Sequence, residues 1–278
     1  MYFKEENLEA HKLLSSIENI DEKDKYRLAF HTEELKDGYW AMNALYYNFR
    51  TFQSQFVPQI YKQWTQFRHA DKFENYRTLT GARWHIYSKD KKPENKRFVP
   101  LNYENDIYKI YENPDAWPQA FIADAIAPFD KDFRKFLRHT SNINVKKKTA
   151  FLSPDNHKKI KSFIGDNNQN SKNSISLKRI NHNKLQYDVT VNENELFVIN
   201  EYFNKYWEIK IDDKIVEPIQ VNFNQIGLEL TEGKHTIIAS YRPKIFIFLK
   251  YLQNLTFIGF LGLFGFQCYN ETKPSVTD

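Results

Sequence analysis

The segment Ile245–Phe266 constrains this chain more than any other stretch. Its uninterrupted apolar core, Leu255–Phe266, is 12 residues long, and extended back to Ile245 the segment reaches 22 residues. A helix needs ~20 apolar residues to cross a bilayer, so the sequence predicts a transmembrane helix over 245–267 and a polar tail over 268–278. Lys250 can snorkel to an interface, whereas Gln253 and Asn254 would want polar partners on neighbouring helices. Gly259, Gly262 and Gly265 recur every third residue and offer a small-residue face for close helix packing.

The segment is entered directly from strand-like sequence. Glu195–Glu201, Trp207–Ile211, Ile215–Val221, Ile226–Leu230 and His235–Tyr241 are rich in β-branched and aromatic residues. Asp212-Asp213-Lys214 and Glu232-Gly233-Lys234 lie between them as turns. With Ile175–Ile180 and Lys184–Val191 they give about seven short strands, a number that suggests an antiparallel sandwich.

Upstream, Leu8, Leu13 and Leu14 place a helix over Lys4–Ile17. Tyr26–Phe30, Leu79–Tyr87, Tyr108–Tyr111 and Gln119–Asp124 read as strands, Asp37–Asn43 as a turn, and Asp130–His139 as a helix. Phe56, Ile60, Trp64 and Phe67 recur at helical intervals behind Pro58. The fold class expected is therefore α+β. A mixed α+β domain (1–165) leads through a polar linker (166–174) to a small β-sandwich domain (175–243) and one membrane helix.

Composition excludes several classes. The formal charge of +5 comes from 40 basic and 35 acidic residues, interspersed, with no nucleic-acid motif beside them, so nucleic acid is not an expected partner. The lysines at 146–148 and 158–161 read as solvated faces. The single cysteine, Cys268, rules out disulfides within the chain and reads as a plain apolar residue. The N-terminal MYFKEENLEAHKLL lacks the apolar run of a signal peptide.

No P-loop, G-x-S-x-G, H-E-x-x-H or Cys/His cluster is present, so neither metal nor cofactor is expected. His31 beside Glu33 and Glu34 is the densest His–carboxylate group, and neither a metal nor a catalytic role is expected of it. Asp212-Asp213 pairs two carboxylates, but at a place where a hairpin wants a turn. Aromatic residues make up 16% of the chain, and Tyr39 and Trp84 fall in the first domain with Trp40, Tyr46, Tyr47 and Trp64. The last four are candidates for stacking on sugar faces, set against the plainer reading that such rings fill the core.

The run Leu196–Tyr241 resembles the C-terminal end of the bacterial membrane protein YfhO family. The residues concerned are Phe197–Tyr202, Tyr206-Trp207, Asp212-Asp213-Lys214, Gly233-Lys234-His235 and Tyr241-Arg242-Pro243. Asp213 stands where the family usually has a turn glycine. Tyr111-Glu112-Asn113 with Pro118–Phe121, and Leu79–Trp84, resemble two upstream signatures in the same order.

The resemblance implies a region of a polytopic protein of glycosyltransferase C-type architecture. Such proteins move a sugar from a lipid-phosphate carrier to an envelope glycopolymer outside the membrane. The implied partners are upstream membrane helices of the same parent protein, the lipid-linked sugar and the glycopolymer. The catalytic acid of that family sits on an early loop between N-terminal membrane helices, so no catalytic residue is assigned here. The resemblance places the soluble domains on the extracytoplasmic side of the cell membrane. Arg242, Lys244 and Lys250 before the helix, with only Lys273 after it, pull toward the cytoplasm instead. Two other readings stay open: a free-standing, membrane-anchored module that binds carbohydrate or protein, and a soluble sugar-active enzyme with a buried C-terminal helix.

Overall fold

The computed structural model describes residues 5–32, 37–51, 74–129, 132–160, 173–181 and 183–271. Among these, six α-helices and three sheets form the mixed α+β architecture.

The first sheet has the order β1-β2-β4-β3, from β1 (Arg27–His31), β2 (Ala82–Ser88), β3 (Val99–Glu104) and β4 (Tyr108–Glu112). β1 and β2 are parallel, and the other pairs antiparallel. Helix α1 (Glu5–Ser16) packs on it because Ala10, Leu13, Leu14 and Ile17 recur at the 3–4 residue spacing of one helix face, and all four are buried. Leu8, expected on that face, is exposed. Asp37–Asn43 is not a turn but the start of helix α2 (Asp37–Tyr46). The spacing of Trp40, Asn43 and Ala44 explains the difference, since all three reach the core from one helix face.

The second sheet has the order β5-β10-β14-β13-β7-β6. Its strands are β5 (Ala120–Ile122), β6 (Ala125–Pro128), β7 (Thr149–Leu152), β10 (Glu195–Ile199), β13 (Ile219–Val221) and β14 (Gln225–Leu230). Short helices α3 (Glu74–Leu79), α4 (Phe133–Thr140) and α5 (Pro154–Lys159) precede or follow its strands. Every residue of β10 is buried. Leu196 and Val198 enter one core with Trp117, Phe121, Phe136 and Phe151, while Phe197 and Ile199 enter another with Tyr187, Ile209, Leu228 and Ile237. A strand covered on both faces needs a continuous apolar run, which is what ELFVI supplies.

The third sheet covers the second of those cores. It runs β12-β11-β15-β9-β8 and is antiparallel throughout. Its strands are β8 (Ser174–Asn181), β9 (Lys184–Val191), β11 (Trp207–Ile211), β12 (Lys214–Val216) and β15 (Gly233–Tyr241). In β9, Leu185, Tyr187, Val189 and Val191 alternate inward, the period-2 signature of a half-buried strand.

Two expectations change. Ile215–Val221 is two strands rather than one: β12 joins the third sheet and β13 the second. Pro218 lies between them, and a residue without an N–H interrupts a ladder at that point. The sandwich is also not confined to 175–243, because β10 pairs with β5 and β13 with β7. Strand pairing thus crosses the expected linker at 166–174, and the second sheet takes strands from both sides of it.

Gly81 closes α3 with φ of +81°, and its N–H is donated to Thr78 O at 3.1 Å. An added Cβ would lie 2.8 Å from the Trp117 carbonyl oxygen and 3.0 Å from Asn200 Nδ2. Gly81→Ala is therefore expected to cost about 2–4 kcal/mol in chemical denaturation, from left-handed backbone and overpacking together. A loss below about 0.5 kcal/mol would show that the backbone there can relax.

Helix α6 (Lys244–Glu271) leaves the third sheet after Tyr241 with only Arg242 and Pro243 between. Lys244–Tyr269 is long and apolar enough to cross a membrane; its most apolar 18-residue stretch has a mean hydropathy of 1.5 and none of that stretch is buried. Phe246, Leu255, Ile258, Phe260, Leu263 and Phe266 are all exposed, far more contiguous apolar surface than a water-soluble protein presents.

Candidate functional site

The four predicted sugar-stacking residues do not form one surface. Trp40 is fully buried: Phe30 stacks on it at 5.3 Å, Tyr108 meets it edge-on at 4.9 Å, and its indole N–H is donated to Thr32 Oγ1 at 2.7 Å. With both faces in the core, this ring has none to offer a sugar. Tyr46 and Tyr47 do come together at the end of α2, 5.0 Å apart and edge-on, with His11 beside both. Tyr46 is exposed and Tyr47 half-buried. Trp64 lies outside the described residues.

Glu33 and Glu34 also lie outside them, and His31 is seen meeting another histidine. Its Nε2 is 3.0 Å from His85 Nδ1, while His85 Nε2 is 3.0 Å from the Ala82 carbonyl. A carbonyl only accepts, so neutral His85 carries its proton on Nε2 and its Nδ1 accepts the hydrogen bond donated by His31 Nε2–H. Tyr87 stacks on His31 at 4.3 Å. Burial holds His31 well below its ordinary range and pulls His85 down to about 3, with the Arg77 charge adding to both. Two neutral, mutually bonded imidazoles are a core element rather than a proton shuttle. Among the described residues no three His, Cys, Asp or Glu side chains are placed to hold a metal ion.

Asp212-Asp213 is a turn, as its position suggested. Both residues have positive φ, 50° and 64°, as a two-residue hairpin between β11 and β12 requires. The Asp212 carboxylate accepts the Thr236 N–H at 2.9 Å and lies 2.7 Å from His235 Nδ1. These bonds, the backbone one first, hold its carboxyl below the usual carboxylate range.

The most elaborate polar constellation was not anticipated, and it lies where the first sheet meets the second. Arg27 leaves β1 and donates to Thr80 O at 2.5 Å, Asn200 O at 2.6 Å and Asn200 Oδ1 at 3.2 Å, and it reaches Glu201 at 3.4 Å. Arg50 meets the other Glu201 oxygen at 2.5 Å, and Gln119 Nε2 donates to that same oxygen at 3.0 Å. Leu79 O accepts from both Asn200 Nδ2 and Gln225 Nε2. Backbone bonds run alongside, from Arg27 N to Gly81 O and from Asn200 N to Gln119 O, each 2.7 Å. Burial pulls the Arg27 guanidinium down to about 10, so it remains cationic at neutral pH. Both carboxylate oxygens of Glu201 are occupied, and the arrangement is suited to fastening two sheets together.

Residues 139–252 match the family model Bacterial membrane protein YfhO. Compared with the curated proteins and with the solved structures, the chain finds no match. The YfhO-matching stretch begins at the end of α4, contains β7 and all of β8–β15, and runs into α6. The matched family is one of bacterial membrane proteins, and the chain carries one helix long and apolar enough to cross a membrane.

The residues that carried the resemblance now have a place. Leu79, Thr80 and Gly81 supply carbonyls to the seam, Gln119 and Asn200-Glu201 supply its side chains, and buried Asn113 donates to Thr78 Oγ1 at 2.8 Å. Short motifs far apart in sequence, two of them outside the stretch that matches YfhO, are therefore neighbours in space. Sequence inspection had no signal for their meeting, since none of them is periodic or charged in a run.

Proposed function

We propose that this chain is the extracytoplasmic accessory region of a polytopic, YfhO-like membrane glycosyltransferase. In that reading the parent protein moves a sugar from a lipid-phosphate carrier to a cell-envelope glycopolymer, with the catalytic loop upstream of the residues described here. The sheets cover the membrane-embedded site and help hold the acceptor polymer, and exposed Tyr46 with half-buried Tyr47 is one aromatic surface available to a sugar ring. The observation that carries this reading is the YfhO match joined without a break to a fully exposed apolar helix. The ordered motifs of the seam support the same family relationship.

The charge at the base of the helix favours a second reading, a membrane-anchored binding module facing the cytoplasm. Arg242, Lys244 and Lys250 lie on the domain side of the apolar core, the side that the positive-inside rule assigns to the cytoplasm. Protease added to spheroplasts of the host separates the two. Cleavage of the sheets while the membrane stays sealed is the expected result. Protection until the membrane is opened would sink the extracytoplasmic assignment and leave the cytoplasmic module.

A further inference from the structure

The third sheet is joined to α6 without slack. Tyr241 N is donated to Asn183 O at 2.8 Å, Arg242 N to Tyr206 O at 2.7 Å, and Ile247 N to Pro243 O at 3.1 Å, which is the first turn of the helix. Pro243 fixes its own φ and restricts Arg242 as well. The loop containing Tyr206 and the turn containing Asn183 are therefore held at the level where the helix begins.

That level can be placed. If the hydrocarbon begins near Lys250, whose ammonium must reach the interface, then Lys244 lies ~9 Å further out at 1.5 Å per residue. A bilayer of about 40–45 Å with a hydrocarbon core of about 30 Å leaves a headgroup layer of about 5–7.5 Å on each side, so Lys244 lies at the outer edge of that layer, within reach of its long side chain.

The chemistry at that end of the sheet suits such a layer. Lys205 lies over the Tyr206 ring at 5.5 Å, Tyr241 meets Tyr206 at 6.0 Å and Trp207 at 5.4 Å, and all three rings are half-exposed. Lys184, Arg242 and Lys244 accompany them, with Arg242 3.5 Å from Glu208 and exposed Glu217 nearby on the chain. At the opposite end of the same strands the balance reverses: Asp188, Asp212, Asp213 and Glu232 stand against Lys214 and Lys234, all exposed. Amphipathic rings with an excess of cations at one end, and an excess of carboxylates at the other, are what an anionic interface selects.

We infer that the helix-side end of the third sheet, built from Lys184, Lys205, Tyr206, Trp207, Arg242 and Lys244, rests on the bilayer and binds anionic phospholipid headgroups. This rests on α6 being a membrane helix, as in the proposed function, but not on which side the sheets face or on any sugar chemistry. The contact fixes the tilt of the sheets over the membrane, so the domain does not swing freely on its helix.

The test uses the full chain with Cys268→Ser, carrying one nitroxide label at a time through Lys205→Cys, Lys244→Cys, Lys234→Cys or Ile258→Cys. Each is reconstituted in nanodiscs of phosphatidylcholine containing about one-third phosphatidylglycerol and a trace of nickel-chelating lipid. The expected result is relaxation at 205 as strong as at 244 and severalfold stronger than at 234. Position 234 is the control because it lies at the far end of β15, roughly 23 Å along the strand. Omitting phosphatidylglycerol should weaken relaxation at 205 while leaving 258 unchanged. A label at 205 that behaves like the one at 234 overturns the inference. Proximity at 205 that ignores phosphatidylglycerol overturns the assignment to anionic lipid. A label at 258 that is open to water-soluble nickel sinks the membrane reading itself, a failure distinct from the other two.

Discussion

Glu201→Ala should destabilise the folded protein by about 3–5 kcal/mol, measured by urea denaturation in detergent micelles, because it leaves two largely buried guanidiniums without their shared carboxylate. Arg27 and Arg50 both contact Glu201, with side chains 15% and 13% exposed, so water can replace the lost partner only in part. Gln119 loses its acceptor as well. The repulsion between the two arginines, already one of the influences lowering the Arg27 pKa, is then unopposed. Glu201→Gln keeps an acceptor oxygen and should recover part of the loss. If Glu201→Ala cost under about 1 kcal/mol, the seam would count as a surface ion pair and not as the fastening between sheets.

Acid should weaken the fold through the histidine pair. An unfolded histidine titrates near 6.5, whereas His85 in the fold titrates near 3 and His31 also lies well below its ordinary value. As pH falls below about 6.5 the unfolded chain takes up protons that the fold refuses, so stability present at neutral pH is lost progressively down to about pH 3. His85 alone removes on the order of 5 kcal/mol across that window. The charged neighbour acting on both rings is Arg77, and a cation there opposes protonation further. Denaturation midpoints between pH 7 and 4 measure the slope. His85→Gln, which removes the titrating ring, should flatten it even though the variant starts less stable. An unchanged slope would place the acid sensitivity elsewhere.

Local periodicity made several elements legible. Leu13 and Leu14 marked the buried face of α1, although Leu8, read with them, is exposed; the alternation through Leu185–Val191 specifies β9, and the Asp212-Asp213 hairpin follows from residues that tolerate positive φ. The apolar helix was equally plain. Sheet membership was not, because strand partners are set by burial on the far face, which no window of sequence contains. Phe197 and Val198 are adjacent in the chain yet serve different cores. Ile215–Val221 looks like one strand, and only its two sheets reveal the break at Pro218. For the candidate residues the same limit applied. Trp40 and Tyr46 look alike in composition, but the helix turns one into the core and the other into solvent. The seam is built from Arg, Asn, Gln and Glu spread from residue 27 to residue 225, and its cooperation exists only after folding.

The pairing of β5 with β10 and of Leu152 with Val221 sets an order of events during synthesis. Closing loops of about 70 residues is slow compared with making a local hairpin, and here the closing partners emerge late. Until β14 has left the ribosome, the earlier strands of the second sheet have open edges and part of their core uncovered. Leu230, the end of β14, precedes the first residue of α6 by fewer than fifteen positions. Completion of the fold and delivery of the apolar helix to the membrane therefore fall almost together in time. A delay in inserting that helix would prolong the life of a half-assembled sheet with exposed edges, the species most prone to aggregate.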